Sequence, residues 1–361
     1  MNGIPEADKT LATRLPFSVH GAVTLPDVRV ENYSLVFTEK GKFIGDKVNK
    51  SAFAKTLDAL RKRKAKNGGK DPFGDLPSAE IRKSHLAETL AEGDPDASEI
   101  VNAALDIFAG NLFDVLQRYR KTDEWRRVER IAIGGGFSDD RIGRIAVARA
   151  QARLHDEKIK CELKPIKHDP DEAGLIGAAY LAPPWVFSGF DAIIGVDIGG
   201  TNIRCGAVRF KLTRHYMLSK AKVIHSAVWR HADDGPNRTQ AIEQLVGMIE
   251  KIIRKCREDD VRLAPFIGVG CPGRIRPDGT IDRGAQNLPG KWEGDNFNLP
   301  ALLRDKVAIL KKHETVVVMH NDAVVQGLSQ IPAMRDVAHW AILTIGTGLG
   351  NAKFTSRGQS S

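Results

Sequence analysis

The stretch Ile193-Ile194-Gly195-Val196-Asp197-Ile198-Gly199-Gly200-Thr201-Asn202-Ile203 decides how this chain is read. An apolar run closed by an acid reads as a strand buried on both faces. The paired glycines behind it allow a tight turn and let backbone N–H groups approach phosphate oxygens, while Thr201 and Asn202 add side-chain donors. Asp197, at the strand end, is placed to hold a hydrated Mg²⁺. A glycine pair after a strand also occurs in many hairpins. The acid, both glycines and Thr201 together favour phosphate. The stretch sits mid-chain, with about half the sequence ahead of it.

The chain has 361 residues, length enough for two domains with real cores. With 42% hydrophobic and 27% charged residues it is globular in composition rather than disordered. The net charge of +9, from 54 basic and 45 acidic residues, favours anionic ligands but does not by itself imply nucleic acid. The basic run Arg61-Lys62-Arg63-Lys64-Ala65-Lys66 leads into Asn67-Gly68-Gly69-Lys70-Asp71-Pro72 and reads as a solvated helix end and loop. Cys161, Cys205, Cys256 and Cys271 are far apart and form no Cys-x-x-Cys pair, so neither a disulfide framework nor a zinc site is expected. No apolar run reaches the roughly 18 residues of a membrane span. The N-terminus, with Glu6 and Asp8, lacks the apolar core of a secretory signal, and a cytoplasmic location is expected.

Two short strands flanking Glu39-Lys40-Gly41, over residues 33–38 and 42–45, predict a hairpin. Ile100, Ala103, Ala104, Ile107, Leu112, Val115 and Leu116 recur at helical spacing. Strands over 128–133 and 160–166 alternate with helices over 140–154 and 172–181, an α/β pattern. Pro183-Pro184 marks a boundary. Beyond it come strands at 193 and over 203–210, then a helix facing inward through Ile242, Leu245, Val246, Met248, Ile249, Ile252 and Ile253. A strand over 266–270, a long loop through Trp292, a short helix over 299–303, a strand over 315–319 and a helix over 323–328 complete a second α/β lobe. The last strand is expected over 341–345.

A second glycine-rich turn, Thr344-Ile345-Gly346-Thr347-Gly348-Leu349-Gly350, also follows an apolar strand, and two such turns fit a nucleoside triphosphate better than a plain hairpin. Neither turn has the Gly-x-Gly-x-x-Gly spacing of a dinucleotide site. In His320-Asn321-Asp322-Ala323, Asp322 reads either as a helix N-cap or as a carboxylate that takes the proton of a substrate hydroxyl attacking a γ-phosphoryl group, with Asn321 orienting that hydroxyl. The loop from Gly270-Cys271-Pro272-Gly273-Arg274 to Asn287-Leu288-Pro289-Gly290-Lys291-Trp292 is long and punctuated by Gly and Pro, as binding loops often are. Cys271, with no paired His, reads as a small buried residue rather than a nucleophile.

Taken in order, Asp197-Ile198-Gly199-Gly200-Thr201, Gly270-Cys271-Pro272-Gly273-Arg274, Asn287 to Trp292, Asn321-Asp322-Ala323 and Thr344 to Gly350 resemble the ROK family of sugar kinases and repressors. The first half resembles the family's other end. Ile131-Ala132-Ile133-Gly134-Gly135-Gly136-Phe137-Ser138 is similar to its adenosine-side turn, and Asp171-Glu172-Ala173-Gly174-Leu175-Ile176-Gly177-Ala178-Ala179 to its C-terminal helix. The resemblance implies an α/β, two-lobed actin/hexokinase-like ATPase fold with ribonuclease H-like lobes, circularly permuted. Residues 1–185 would form the second lobe and residues 186–338 the first, while residues 339–361 would return to the second, where the strand over 341–345 would pair with the hairpin over 33–45.

That resemblance implies ATP-dependent phosphorylation of a sugar hydroxyl, with Asp322 as base and ATP-Mg²⁺ between lobes. It assigns Asn321, Gly273 and Asn287 to the sugar and Gly199, Gly200, Thr201, Asn202, Thr347 and Gly348 to phosphates. Gly134, Gly135 and Gly136 fall to the nucleoside, and Asp197 and Asp171 lie near Mg²⁺ and the lobe interface. The family's Gly-Glu-x-Gly-His segment and zinc site are missing. His20 falls in the region of that missing segment, though a surface His is the better reading. A homodimer is compatible with the family; nucleic-acid and membrane partners are not expected. The alternatives are a non-catalytic nucleotide- or sugar-binding ROK-like protein and a transcriptional regulator, for which residues 1–30 offer no helix-turn-helix.

Overall fold

The computed structural model describes residues 19–137, 140–210, 218–310 and 313–357. The expectations about the extreme N-terminus, and Ser138 of the glycine turn, lie outside those residues. The chain divides into two compact units. One comprises Met1–Ser34, Asp171–Arg335 and Thr355–Ser361, and the other Leu35–Pro170 and Asp336–Phe354.

In the first unit a five-stranded sheet has the order Val316–Asn321, Leu263–Cys271, Ala192–Ile198, Ile203–Arg209 and Lys222–Trp229. The first three strands are mutually parallel, Ile203–Arg209 runs antiparallel to them, and Lys222–Trp229 runs with them again, so one sheet edge gathers four strand C-termini. Every residue of Ala192–Ile198 is buried. One face is covered by helix Arg238–Glu258, opened by a capping box between Asn237 and Gln240 and buried through Ile242, Leu245, Met248, Ile249, Ile252 and Ile253.

The other face is flat because glycines line up across three strands. Gly195 pairs with Gly206 on one side and Gly268 on the other. Cβ atoms there would fall 2.8 Å from Leu175 O, 3.0 Å from Leu175 Cδ1 and 2.5 Å from Ala178 O. Helix Pro170–Ala178 therefore lies on the sheet in backbone contact, and a Cβ on its own Gly177 would fall 1.7 Å from Val325 O. This packing sets the division at Asp171, ahead of Pro183-Pro184 and of the expected boundary at residue 185. Pro184 instead opens the helix Pro184–Gly189, where a missing N–H costs nothing.

In the second unit, strands Leu349–Ser356, His339–Ile345, Arg130–Gly134 and Glu162–Pro165 lie side by side in that order, the last three parallel. Helices Pro95–Arg120, Arg141–Asp156, Lys50–Lys66 and Lys83–Glu92 accompany them, and side chains of all four enter one apolar core. Ile107, expected on the apolar face, is 43% exposed. The hairpin is present but short, Thr38–Glu39 against Lys42–Phe43, with positive φ at Lys40 and Gly41 as a two-residue hairpin turn demands. It forms its own two-stranded sheet, so the expected pairing of the strand over 341–345 with this hairpin is not made.

Three strands escaped the sequence reading. Val28–Tyr33 stands before the expected hairpin. Lys222–Trp229 is a half-buried edge strand with no clean alternation. Leu349–Ser356 corrects the expectation that the last strand ends at 345. Its buried positions include Asn351 and Lys353, which hide the apolar pattern. Asn351 is satisfied where it lies: its Nδ2 donates to Leu35 O at 3.0 Å and to Tyr119 Oη at 2.9 Å, and its Oδ1 accepts Leu35 N–H at 2.9 Å. The basic run is also not wholly solvated. Arg61 is buried and donates to Asp71, Gly74 O, Leu76 O and Ser78, tying down the loop that follows.

Candidate active site

At the C-terminal edge of the first unit's sheet, Asp197 stands in register with Gly270, and Gly270 with His320. Asn321-Asp322 continue from there into the helix Asp322–Leu328. Ligands of parallel α/β sheets collect at this kind of edge. The helix is capped by Asn321, whose Oδ1 accepts Ala323 N–H at 3.0 Å and Val324 N–H at 3.3 Å. The capping alternative for Asp322 thus belongs to its neighbour, although Asp322 Oδ1 also accepts Ala323 N–H at 2.9 Å. Burial pushes the Asp322 carboxyl up to about 7, the charge of Asp197 reinforces this, and backbone and Asn321 hydrogen bonds oppose it.

Asp197 is buried, and its carboxyl is likewise raised by burial, against the pull of Arg204. Arg204 was missed in the sequence. Its Nη1 lies 3.5 Å from Asp197 Oδ2, and Nε and Nη2 each reach Asp171 Oδ1 at 2.7 Å, so it bridges the two acids. Among the described residues no three His, Cys, Asp or Glu side chains gather as a metal cage. One buried carboxylate suits a Mg²⁺ that keeps its waters and takes its other ligands from phosphate.

The turn after Asp197 closes through Gly199 N–H to Asn202 O at 2.8 Å. Neither glycine needs a left-handed φ. A Cβ at Gly200 would fall 3.2 Å from Asn287 Cβ, a tight contact that places Asn287 beside the turn. His231, buried and also missed, braces the turn with Nε2 2.9 Å from Gly199 O. Gly273, at φ +102, leaves a Cβ no room beside Arg283 O, and its carbonyl accepts Asn321 Nδ2–H at 3.0 Å. The long loop is held by Trp292 Nε1–H to Pro289 O at 2.7 Å and Ala285 N–H to Glu293 at 2.7 Å. Cys271 is fully buried and its thiol is driven well up by that burial. His20 departs from the surface reading: half-buried, it accepts Met319 N–H on Nδ1 at 3.1 Å.

In the second unit the two glycine turns lie together. Gly135, at φ +85, has no space for a Cβ against Ile345 O, and Phe137 N–H donates to that same oxygen at 3.1 Å. Gly346 N–H closes onto Gly348 O at 3.0 Å, and Gly346 O accepts Lys50 N–H at 3.1 Å. A Cβ at Gly136, Gly346 or Gly348 would meet nothing, which leaves open backbone for a ligand. Lys83, another residue missed, donates to Gly136 O, pairs with Asp140 at 2.5 Å and lies over the Phe137 ring.

The fold and its strand-end sites define an α/β protein with two separate sets of glycine turns and a carboxylate pair in one of them. No family model matches the chain. It is similar to a glucokinase of Thermotoga maritima, 29% identical over 171 residues, which cover 45% of this chain and 44% of that protein. The chain thus spans less than half the length of that curated relative. A solved structure from Cytophaga hutchinsonii, described as a "putative sugar kinase", aligns with 45% of this chain and 47% of its own at 19% identity and a TM-score of 0.34, too low to carry an argument. Among the described residues no helix is long and apolar enough to cross a membrane.

Proposed function

We propose that this protein is an ATP-dependent kinase of a sugar hydroxyl, built as a circularly permuted member of the ROK type. The observation that carries the reading is Asp322: a carboxyl at the sheet's C-terminal edge, beside the Asn321 cap and raised to about 7. A base poised near neutrality can take a hydroxyl proton as the oxygen attacks. The likeness to a glucokinase supports a sugar as the owner of that hydroxyl.

In the proposed reaction the substrate oxygen forms a bond to the γ-phosphorus of ATP while the bond from that phosphorus to the β,γ-bridging oxygen breaks. The hydroxyl proton passes to Asp322, and ADP leaves. Asn321 and Gly273 hold the loop and strand end that face the sugar, and Asn287 stands against the Gly199–Gly200 turn. That turn, with Thr201 and Asn202, offers N–H and side-chain donors to phosphate. The turns holding Thr347 and Gly348 and Gly134, Gly135 and Gly136 are assigned to phosphate and nucleoside. Bound Mg²⁺, near Asp197, would neutralise phosphate charge. ADP release on a panel of hexoses tests the reading, with Asp322→Asn as control. Intact ATP binding without turnover of any hexose would favour a non-catalytic binding protein.

A further inference from the structure

One flank of the strand Val316–Asn321 is held by a segment far away in sequence. Gly21 N–H donates to Met319 O at 3.0 Å, and His320 Nε2 lies 3.2 Å from Ala22 O. The Tyr33 ring meets His320 edge-on at 5.2 Å. The segment ends at Ser34, whose φ of +52° lies in the left-handed region. A residue with a Cβ pays about 1–2 kcal/mol to stand there, and such positions cluster where geometry serves a ligand.

Asn321 Nδ2 donates to Ser34 Oγ at 3.2 Å. With Gly273 O on the other hydrogen, and with Ala323 and Val324 N–H on Oδ1, the Asn321 amide is fully engaged. A primary amide has two donor hydrogens, so Asn321 has none left for a substrate. Ser34 differs. It is exposed, and among the described residues its hydroxyl makes only the one hydrogen bond that it accepts. Its own O–H is therefore free to donate, and a hydroxyl that already accepts a hydrogen bond donates more strongly.

We propose that Ser34 is a substrate-contacting residue: its hydroxyl, aimed by Asn321 and by a left-handed backbone, donates a hydrogen bond to one hydroxyl of the sugar. This inference rests on the kinase reading of the same site. Asn321 then acts as a positioning residue and the Ser34 oxygen as the group the sugar touches. A single such bond sets the expected loss at about tenfold in affinity.

The test is sugar binding by calorimetry and KM by ADP release, for the intact chain and for Ser34→Ala and Ser34→Gly. Glycine removes the hydroxyl while relaxing the backbone. Both variants should weaken the sugar about tenfold with KM for ATP unchanged, and the loss should vanish for one monodeoxy hexose lacking the contacted hydroxyl. Loss in Ala but not Gly, or an equal loss for every deoxy analogue, would show a purely structural serine and overturn the proposal. Wild type active and both variants unaffected would sink the Ser34 contact alone. Wild type that neither binds nor turns over any hexose would sink the kinase reading with it.

Discussion

Asp322 stands apart from the other acids at the sheet edge because Asn321 has taken the cap and burial keeps the carboxyl protonated up to about pH 7. That shift has a consequence for stability. Below about pH 4 both folded and unfolded chains hold this proton; between there and pH 7 only the folded one does, so folding loses stability as pH rises across that window. Asp322→Asn removes the loss. The variant should gain Tm over wild type at pH 8 and little at pH 4.5, by calorimetry; an equal difference at both pH values would rule out the shifted carboxyl. That Asp197, Gly273 and Asn321-Asp322 stand at or just past strand ends was legible in the sequence, because each closely follows an apolar run. Arg204 and His231 were not. Each acts across the fold, on Asp171 and Asp197 or on Gly199 O, and nothing in local spacing announces such a partner.

At the scale of elements, buried strands and amphipathic helices read clearly, as Ala192–Ile198 and Arg238–Glu258 show. The glycine row Gly206, Gly195 and Gly268 could not be read so, because its meaning lies in register across strands that are remote in sequence. It makes the helix from Asp171 onward part of the first unit. Gly177→Ala would drive a methyl into the Val325 carbonyl, backbone against backbone with no side chain to yield. Its cost should exceed about 3 kcal/mol in chemical denaturation, beyond the usual range for overpacking. Gly346→Ala meets open space and should stay within about 0.5 kcal/mol of wild type. A tolerated Gly177→Ala would mean that the helix does not lie on the glycine row as described. The strand Leu349–Ser356 was hidden for the opposite reason: Asn351 pays its way through three hydrogen bonds in a place where sequence reading expects an apolar residue.

For the whole molecule, the division into two compact units was legible in outline from the alternation of strands and helices, whereas its place at Asp171 required the packing. The net charge of +9 acts at this scale. A cationic protein draws anionic substrate through a field that salt screens over about 10 Å at 0.1 M. Raising ionic strength should therefore lower kcat/KM for ATP-Mg²⁺ and leave that for a neutral hexose nearly unchanged. An equal fall for both would point away from charge steering. The proposed reaction turns on one base, and the direct test is the pH profile of hexose-dependent ADP release in wild type and Asp322→Asn. We expect kcat/KM for the hexose to rise with the loss of one proton near pH 7 and to level off above it. In Asp322→Asn the rate should fall by about 10²–10⁴-fold, with the inflection gone and ATP binding kept. Hexose-dependent turnover that survives in Asp322→Asn with the same profile, or no turnover of any hexose by wild type that still binds ATP, would contradict it.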